Sequence, residues 1–290
     1  MTGTTDAEGG AGASEAMGMP DPSRVILAMA GADARTVLQD VVTNDVSRLA
    51  PGQPVYAALL TPQGKYLFDF LLLDPADLGL QGDAAVLIDA DAAQAPALAK
   101  RIGMYCLRRD ARVTGSVDGW GVGLVWGATP MAGTAAVLPD PRCDALGHRV
   151  YAPDVAAALQ ALGAGPGTAE AYDALRIRHG VPASGVELVS DDSYILEAGF
   201  DRLNGVDFRK GCYVGQEVTA RMRHKTELKK RLLAVRVEGS APAGTPVTTE
   251  AGKPAGTLFT QAGGRGLAHL RLDRAKGPLM AGEASVIAEL

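Results

Sequence analysis

The sequence predicts an α+β protein with antiparallel sheets, closed by a small all-β domain at its carboxy-terminal end. Three observations carry this. Strand-like and helix-like segments mix irregularly up to about residue 228, with a tight hairpin among them, which favours an antiparallel layer over a doubly wound sheet. Apolar residues make up 47% of the 290 positions but aromatics only 5%, so the core must be built mainly from Ala, Val and Leu. Beyond Lys230 only short strand-like pieces remain, divided by Gly and Pro, as in a small sandwich or barrel.

Taken in order, residues 1–22 are rich in Gly, Ala, Thr and Asp and are expected to be disordered. They lack the basic start and apolar centre of a signal peptide. A strand over 24–29 turns at Gly31-Ala32-Asp33 into a helix over 34–40, with Val37, Leu38 and Val41 on one face. Strands at 55–60 and 66–73 flank the turn Thr61-Pro62-Gln63-Gly64 and form a hairpin. A strand at 84–88 and a helix over 92–104 follow, the latter with Ala95, Leu98, Ala99 and Ile102 at helical spacing. Further strands are expected at 122–126, 134–138 and 148–151, then a helix at 155–162. The glycine-rich stretch 163–167 reads as a linker. A helix over 169–179 ends at Gly180 with Pro182 beyond it. Residues 181–211 are irregular but carry apolar anchors at Ile195, Leu196, Phe200, Leu203, Val206 and Phe208, the mark of an ordered and often functional loop.

Several function classes are disfavoured. A net charge of −5 supplies no global basic field, so nucleic acid is not the expected partner. No apolar run reaches membrane-spanning length, so no membrane partner is expected. The chain has no phosphate-binding Gly-x-x-x-x-Gly-Lys-Ser/Thr loop, no Cys-x-x-Cys and no His-Glu-x-x-His. Cys106, Cys143 and Cys212 are too few and too scattered for a disulfide framework, and a cytoplasmic protein is expected.

One segment carries chemistry: Lys210-Gly211-Cys212-Tyr213-Val214-Gly215-Gln216-Glu217. The pattern predicts a helix over 213–222, with Val214, Val218 and Met222 on one face, which sets Cys212 at its start. A cysteine there faces the positive end of the helix macrodipole, and Lys210 adds a cation nearby. Both favour the thiolate, the form that attacks electrophiles and binds soft metals. The same residues also read as a structural turn with a buried thiol. The run Arg221-Met222-Arg223-His224-Lys225, followed by Lys229-Lys230-Arg231, is locally basic: a solvated surface, or short-range attraction for an anionic ligand tail or RNA.

Residues 210–221, Lys-Gly-Cys-Tyr-Val-Gly-Gln-Glu-Val-Thr-Ala-Arg, resemble the signature of the YgfZ family of folate-binding proteins, related to the glycine-cleavage T-protein and to a mitochondrial iron–sulfur assembly factor. Co-linear blocks support the resemblance: Leu38-Gln39 with Val42-Thr43-Asn44-Asp45-Val46, Leu59-Leu60-Thr61-Pro62-Gln63-Gly64-Lys65, Arg176-Ile177 with Gly180-Val181-Pro182, and Asn204-Gly205-Val206-Asp207-Phe208. The resemblance implies ferredoxin-like subdomains around a folate cavity over 23–228 and a small β-barrel over 229–290. It implies tetrahydrofolate as cofactor, with Glu197 as the pterin-facing carboxylate and Tyr172, Asp89 and Asp69 near the ligand. Lys210, Tyr213, Gln216 and Glu217 join them from the signature. It also implies a role in [4Fe–4S] assembly or repair, with Cys212 as the reactive thiol and a ligand to a transient cluster shared with an A-type scaffold partner.

One departure bears on activity. The T-protein pattern has an Asp-Asp pair where this chain has Asp69-Phe70, so the resemblance does not extend to aminomethyl transfer. Two rival readings stand beside the assembly factor: a folate-dependent aminomethyl or one-carbon transferase, and a tRNA-modification accessory protein served by the basic run.

Overall fold

The computed structural model describes residues 16–80, 82–128, 136–224 and 228–289. Its first elements are β1 (Met17–Pro20), β2 (Arg24–Ala30), α1 (Ala34–Val41), β3 (Val55–Leu60), β4 (Tyr66–Leu73), β5 (Ala84–Asp91), α2 (Ala95–Tyr105) and β6 (Arg112–Ser116). Strands β3 and β4 form the expected hairpin, and the sheet order is β3-β4-β5-β2-β6. All six residues of β3 are buried, which explains why it shows no polar alternation: both faces of this sheet are covered. One face packs on α1 and α2 through Val37, Leu38, Phe70, Ile88, Leu98 and Ile102. The other carries Ile26, Tyr56, Leu71 and Leu87 into a second core.

That core is closed by a second sheet. It contains β7 (Gly121–Trp126), β8 (Ala136–Pro139), β9 (His148–Ala152) and β10 (Gly165–Pro166), in the order β10-β1-β7-β9-β8, with α3 (Val155–Ala161) on its outer face. Leu124, Trp126 and Tyr151 face the first sheet. Two sequence expectations change here. Residues 17–20 are a strand, not part of a disordered terminus, and the stretch 163–167 is not a free linker, because Gly165 and Pro166 pair in parallel with Met17 and Gly18. Such short edge pairing runs through the main chain and leaves little side-chain pattern to read. Residues 1–15, Thr134 and Lys225 lie outside the described residues.

Helix α4 (Ala169–Arg178) is capped by the Thr168 hydroxyl, which accepts from Ala171 N at 3.1 Å. It stops at Gly180, whose φ of +61° ends the right-handed helix. The irregular segment after it is ordered by its anchors: Ile195, Leu196, Phe200, Leu203 and Val206 are buried in the central core. Helix α5 (Gln216–His224) then leads into β11 (Lys230–Glu238), β12 (Thr245–Thr249), β13 (Pro254–Ala262), β14 (Arg265–Arg271), β15 (Leu279–Ala281) and β16 (Ala284–Ala288). These strands close into a barrel ordered β11-β14-β13-β12-β15-β16, with its own core of Val235, Val247, Leu258, Leu270 and Val286. The barrel docks on the body where Leu267 and Ala262 meet Ile177. Among the described residues no helix is long and apolar enough to cross a membrane.

Candidate functional site

The signature segment is a loop built on buried anchors. Cys212 is exposed, whereas Lys210 and Tyr213 are buried. The ammonium of Lys210 donates to three carbonyl oxygens, Gln39 at 2.7 Å, Val42 at 2.6 Å and Asn44 at 2.9 Å. These belong to the last turn of α1 and the loop after it, the negative end of that helix, where a cation is favoured. Burial lowers the Lys210 ammonium from 10.5 to about 8, against the opposing pull of Asp45, Asp40 and Asp207.

The blocks that lie far apart in the sequence meet around this anchor. The Thr43 hydroxyl donates to Gly205 O at 2.6 Å and accepts from Ala58 N at 2.9 Å. The Asn44 side chain donates to Tyr56 O and to Asn204 O at 2.7 and 2.6 Å. Asp207 N donates to Thr43 O at 3.1 Å, and the Asp207 carboxylate accepts from Arg209 N and Lys210 N. Gly215 lies against the hairpin turn: a Cβ there would sit 2.6 Å from Thr61 O. One at Gly64 would sit 2.7 Å from Val218 Cβ.

Two expectations about Cys212 are corrected. It is not at a helix start, because α5 begins at Gln216, and Gly215, with φ +83°, cannot continue a right-handed helix backwards. The macrodipole argument therefore does not reach the thiol. Nor does Lys210 stand beside it as a free cation, since its ammonium is spent on backbone carbonyls. Gln216 and Glu217 open α5, with Glu217 exposed.

The other predicted residues gather elsewhere. Asp89 lies on the inner face of the first sheet, fully buried, and accepts from Arg24 Nε at 2.7 Å, Arg149 Nη1 at 3.0 Å and the Tyr151 hydroxyl at 2.9 Å. Burial alone would raise its pKa, but Arg24 and Arg149 hold the carboxyl below the usual range. Asp140 bridges Arg142 (2.9 and 2.7 Å) and Arg149 (3.3 Å). Arg24, Arg142, Arg149 and Arg176 line a central cavity of about 390 Å³ together with Asp21, Asp91 and Asp173, and each of these arginines is paired with a carboxylate, so the cavity carries no excess of positive charge. Tyr172 lines this cavity, its ring 5.3 Å from Trp126 and its hydroxyl buried without a partner among the described residues. Asp69 is buried nearby and accepts from Tyr56 (2.9 Å), Tyr66 (2.7 Å) and Ser184 (2.6 Å). Glu197 is in neither place: it lines a separate cleft between body and barrel, 2.9 Å from His269 Nε2.

Sequence reasoning passed over Arg24, Arg142, Arg149, Asp140 and His269. The available signal was a charge set inside an apolar strand, as Asp89 and Arg149 are. Such residues are rarely buried unless paired.

Comparison with known proteins bears on the whole chain. Residues 229–290 match the family model of the CAF17 C-terminal beta-barrel domain. A mouse protein named iron-sulfur cluster assembly factor IBA57, mitochondrial, is 32% identical over 284 residues, covering 88% of this chain and 78% of that protein. Its human counterpart is 33% identical over 286 residues, with the same shares of 88% and 78%. The chain belongs to the IBA57 family of iron–sulfur cluster assembly factors. It spans about half of the Neurospora crassa family member, 54% of whose length is covered at 33% identity, against 76% of this chain. The fold is that of the glycine cleavage system aminomethyltransferase T from Bartonella henselae, with a TM-score of 0.73 over 95% of this chain and 85% of that one. At 14% identity that likeness speaks to the fold alone.

Membership of the IBA57 family overturns one expectation. These relatives are named as mitochondrial proteins, so a cytoplasmic location does not stand. Cysteine spacing speaks against a disulfide framework but does not distinguish one reducing compartment from another. The implied tetrahydrofolate meets a mixed fit in this IBA57-family chain. The central cavity has room for a small ligand, but its arginines are matched by carboxylates. The carboxylates predicted to hold the pterin do not converge on it, because Asp89 and Asp69 are each engaged by three protein donors and Glu197 faces another cleft.

Proposed function

We propose that this chain acts in iron–sulfur cluster assembly by presenting one thiolate, Cys212, to a [4Fe–4S] cluster carried by a partner protein. The observation that carries this is the contrast within the signature loop, an exposed cysteine between the buried anchors Lys210 and Tyr213. A reactive atom on a loop ordered in advance loses little freedom when it binds. Clusters are held by sets of thiolates that a single cysteine cannot supply. Among the described residues no group of three or more His, Cys, Asp or Glu is arranged to hold a metal ion. The remaining ligands therefore come from the partner, and an A-type iron–sulfur scaffold has the chemistry required. On ligation the Cys212 sulfur takes one coordination position on iron and its proton passes to solvent. The cluster is cargo, and no electron transfer is needed.

The test mixes the full chain with a cluster-loaded scaffold and follows cluster absorbance. Cys212→Ser abolishes the change given by the unaltered chain while the protein stays folded. An unchanged response from the serine variant overturns the thiolate role.

Tetrahydrofolate belongs to the same proposal as a ligand of the central cavity, supported by the Tyr172 hydroxyl, which is buried there without a partner among the described residues. Arg142, Arg149 and Arg176 line the cavity already paired with carboxylates, so recognition would fall to Tyr172, which would meet a polar atom of the ring system. Asp69 offers no base for one-carbon transfer, its oxygens being taken by three hydroxyl donors. Saturable calorimetric binding of tetrahydrofolate supports this part of the proposal. Its absence overturns the ligand and leaves the Cys212 role standing.

A further inference from the structure

The cleft that holds Glu197 plays no part in the proposal above. It encloses about 430 Å³ between the loop around 187–198 on the body and strands β11, β13 and β14 of the barrel. Its walls bring together the basic side chains Lys65, Lys230, His269, Arg271 and Arg274 and the acidic Glu187, Asp192 and Glu197. Glu187 is spent elsewhere, on the Thr260 hydroxyl, Ala183 N and Arg176, and the remaining balance is cationic.

The arrangement of these cations is the informative part. Lys230 and Arg271 are register partners on β11 and β14, so two positive side chains leave the same face of the barrel side by side. Like charges in directly opposed positions repel. Arg271 is partly neutralised by Asp273, at 3.2 and 3.0 Å, whereas Lys230 makes no ion pair among the described residues. Lys65 approaches from the body, 4.0 Å from the Tyr194 ring centroid, and donates to Asp192 O at 2.5 Å. The aromatic face and the carbonyl fix its position, and the largely exposed Asp192 carboxylate, 3.9 Å away, neutralises it only in part.

The donors left open select the kind of anion. Flat carboxylates are best met by an open guanidinium fork. Here the Arg271 fork is closed by Asp273, and Arg274 donates to Pro254 O. What remains are ammonium groups, compact charges with rotatable donors that suit a many-oxygen phosphate. We propose that this cleft binds a small phosphate-bearing anion, gripped between Lys65 on the body and Lys230 on the barrel.

The test is calorimetric titration of the full chain at low ionic strength with inorganic pyrophosphate, and with citrate as a carboxylate of comparable charge. Pyrophosphate binds saturably, and Lys230→Gln and Lys65→Gln each weaken it by about tenfold or more, the loss of one charge-assisted contact. Lys230 is exposed, so the unfolding midpoint of its ligand-free variant stays at the unaltered value. Citrate binds at least about tenfold more weakly. Three results would each overturn the proposal: no saturable binding at millimolar pyrophosphate, binding indifferent to both lysines, or citrate binding as tightly as pyrophosphate. Indifference to both lysines would move the anion to the central arginines.

Discussion

The Lys210 ammonium donates to Val42 O at 2.6 Å across 168 positions of sequence, tying the cysteine loop to the end of the first helix. With Gln39 O and Asn44 O also served, the lysine fixes where Cys212 emerges without touching it. Lys210→Met leaves these carbonyls without their donor and destabilises the fold by about 1–3 kcal/mol. The pH dependence separates this anchor from a merely bulky residue. Burial lowers the folded-state pKa from 10.5 to about 8. Below about pH 8 the lysine is charged in both states and the burial penalty is fully present. Between about 8 and 10.5 the unfolded chain holds a proton that the folded chain has released, so stability rises with pH through that window. Urea denaturation across it should show the unaltered chain gaining stability relative to Lys210→Met. A constant difference would place the ammonium in solvent.

Two glycines of the signature make opposite predictions. Gly215 has φ +83° and its Cβ would meet Thr61 O at 2.6 Å, whereas a Cβ at Gly211 would meet nothing within 4 Å. Gly215→Ala should therefore cost about 1–3 kcal/mol through backbone strain and a displaced hairpin turn. Gly211→Ala should stay within about 0.5 kcal/mol of the unaltered chain. Chemical denaturation of the two variants checks this, and equal effects would mean that the loop does not lie on the turn as described.

The hairpin at Thr61–Gly64, the stop at Gly180 and the terminal strands were legible because each is written locally, in a turn residue or a run of alternating apolar positions. The place of Cys212 was not. Val214, Val218 and Met222 keep helical spacing, but the left-handed Gly215 interrupts the helix that the spacing suggests. The pairing of Gly165 and Pro166 with β1 runs through the main chain and carries no side-chain signature. The ion cluster of Arg24, Asp89, Asp140, Arg142 and Arg149 joins residues from both sheets, and only the folded chain puts them within reach.

Thiol chemistry tests the exposure of the loop. Cys212 is exposed, Cys143 half-buried and Cys106 buried in the core behind the first sheet. A chromogenic disulfide reagent should modify one thiol quickly, a second slowly and the third only on unfolding. Cys212→Ser should remove the fast phase and change stability by no more than about 0.5 kcal/mol, as expected for an exposed position. A fast phase that survives the substitution would assign the reactive thiol elsewhere.

Asp89 should prove structural. It balances Arg24 and Arg149 in a fully buried setting, and removing one partner of a buried ion pair costs about 3–5 kcal/mol. Despite burial, the arginines hold its carboxyl below 3.8. A depressed carboxyl contributes stability that is present above the unfolded value and is lost as pH falls through the folded one. Asp89→Asn should lower stability at neutral pH and flatten the decline seen below about pH 4. Acid titration of both proteins by circular dichroism measures this, and parallel declines would remove Asp89 from the acid response.

Tyr172 separates packing from ligand binding. Its ring packs 5.3 Å from Trp126 while its hydroxyl is buried with no partner among the described residues. An unpaired buried hydroxyl is unfavourable by about 1–3 kcal/mol. Tyr172→Phe keeps the ring and removes only that group, so the ligand-free protein should become more stable, by up to this amount. If the hydroxyl is held in reserve for tetrahydrofolate, the same variant should bind the ligand about tenfold less tightly, since one hydrogen bond is lost. Unfolding free energies and calorimetric titrations of the two proteins give both quantities. A gain in stability with unchanged affinity confines Tyr172 to packing. A loss of affinity alongside the gain means that the fold gives up stability at this position in exchange for recognition.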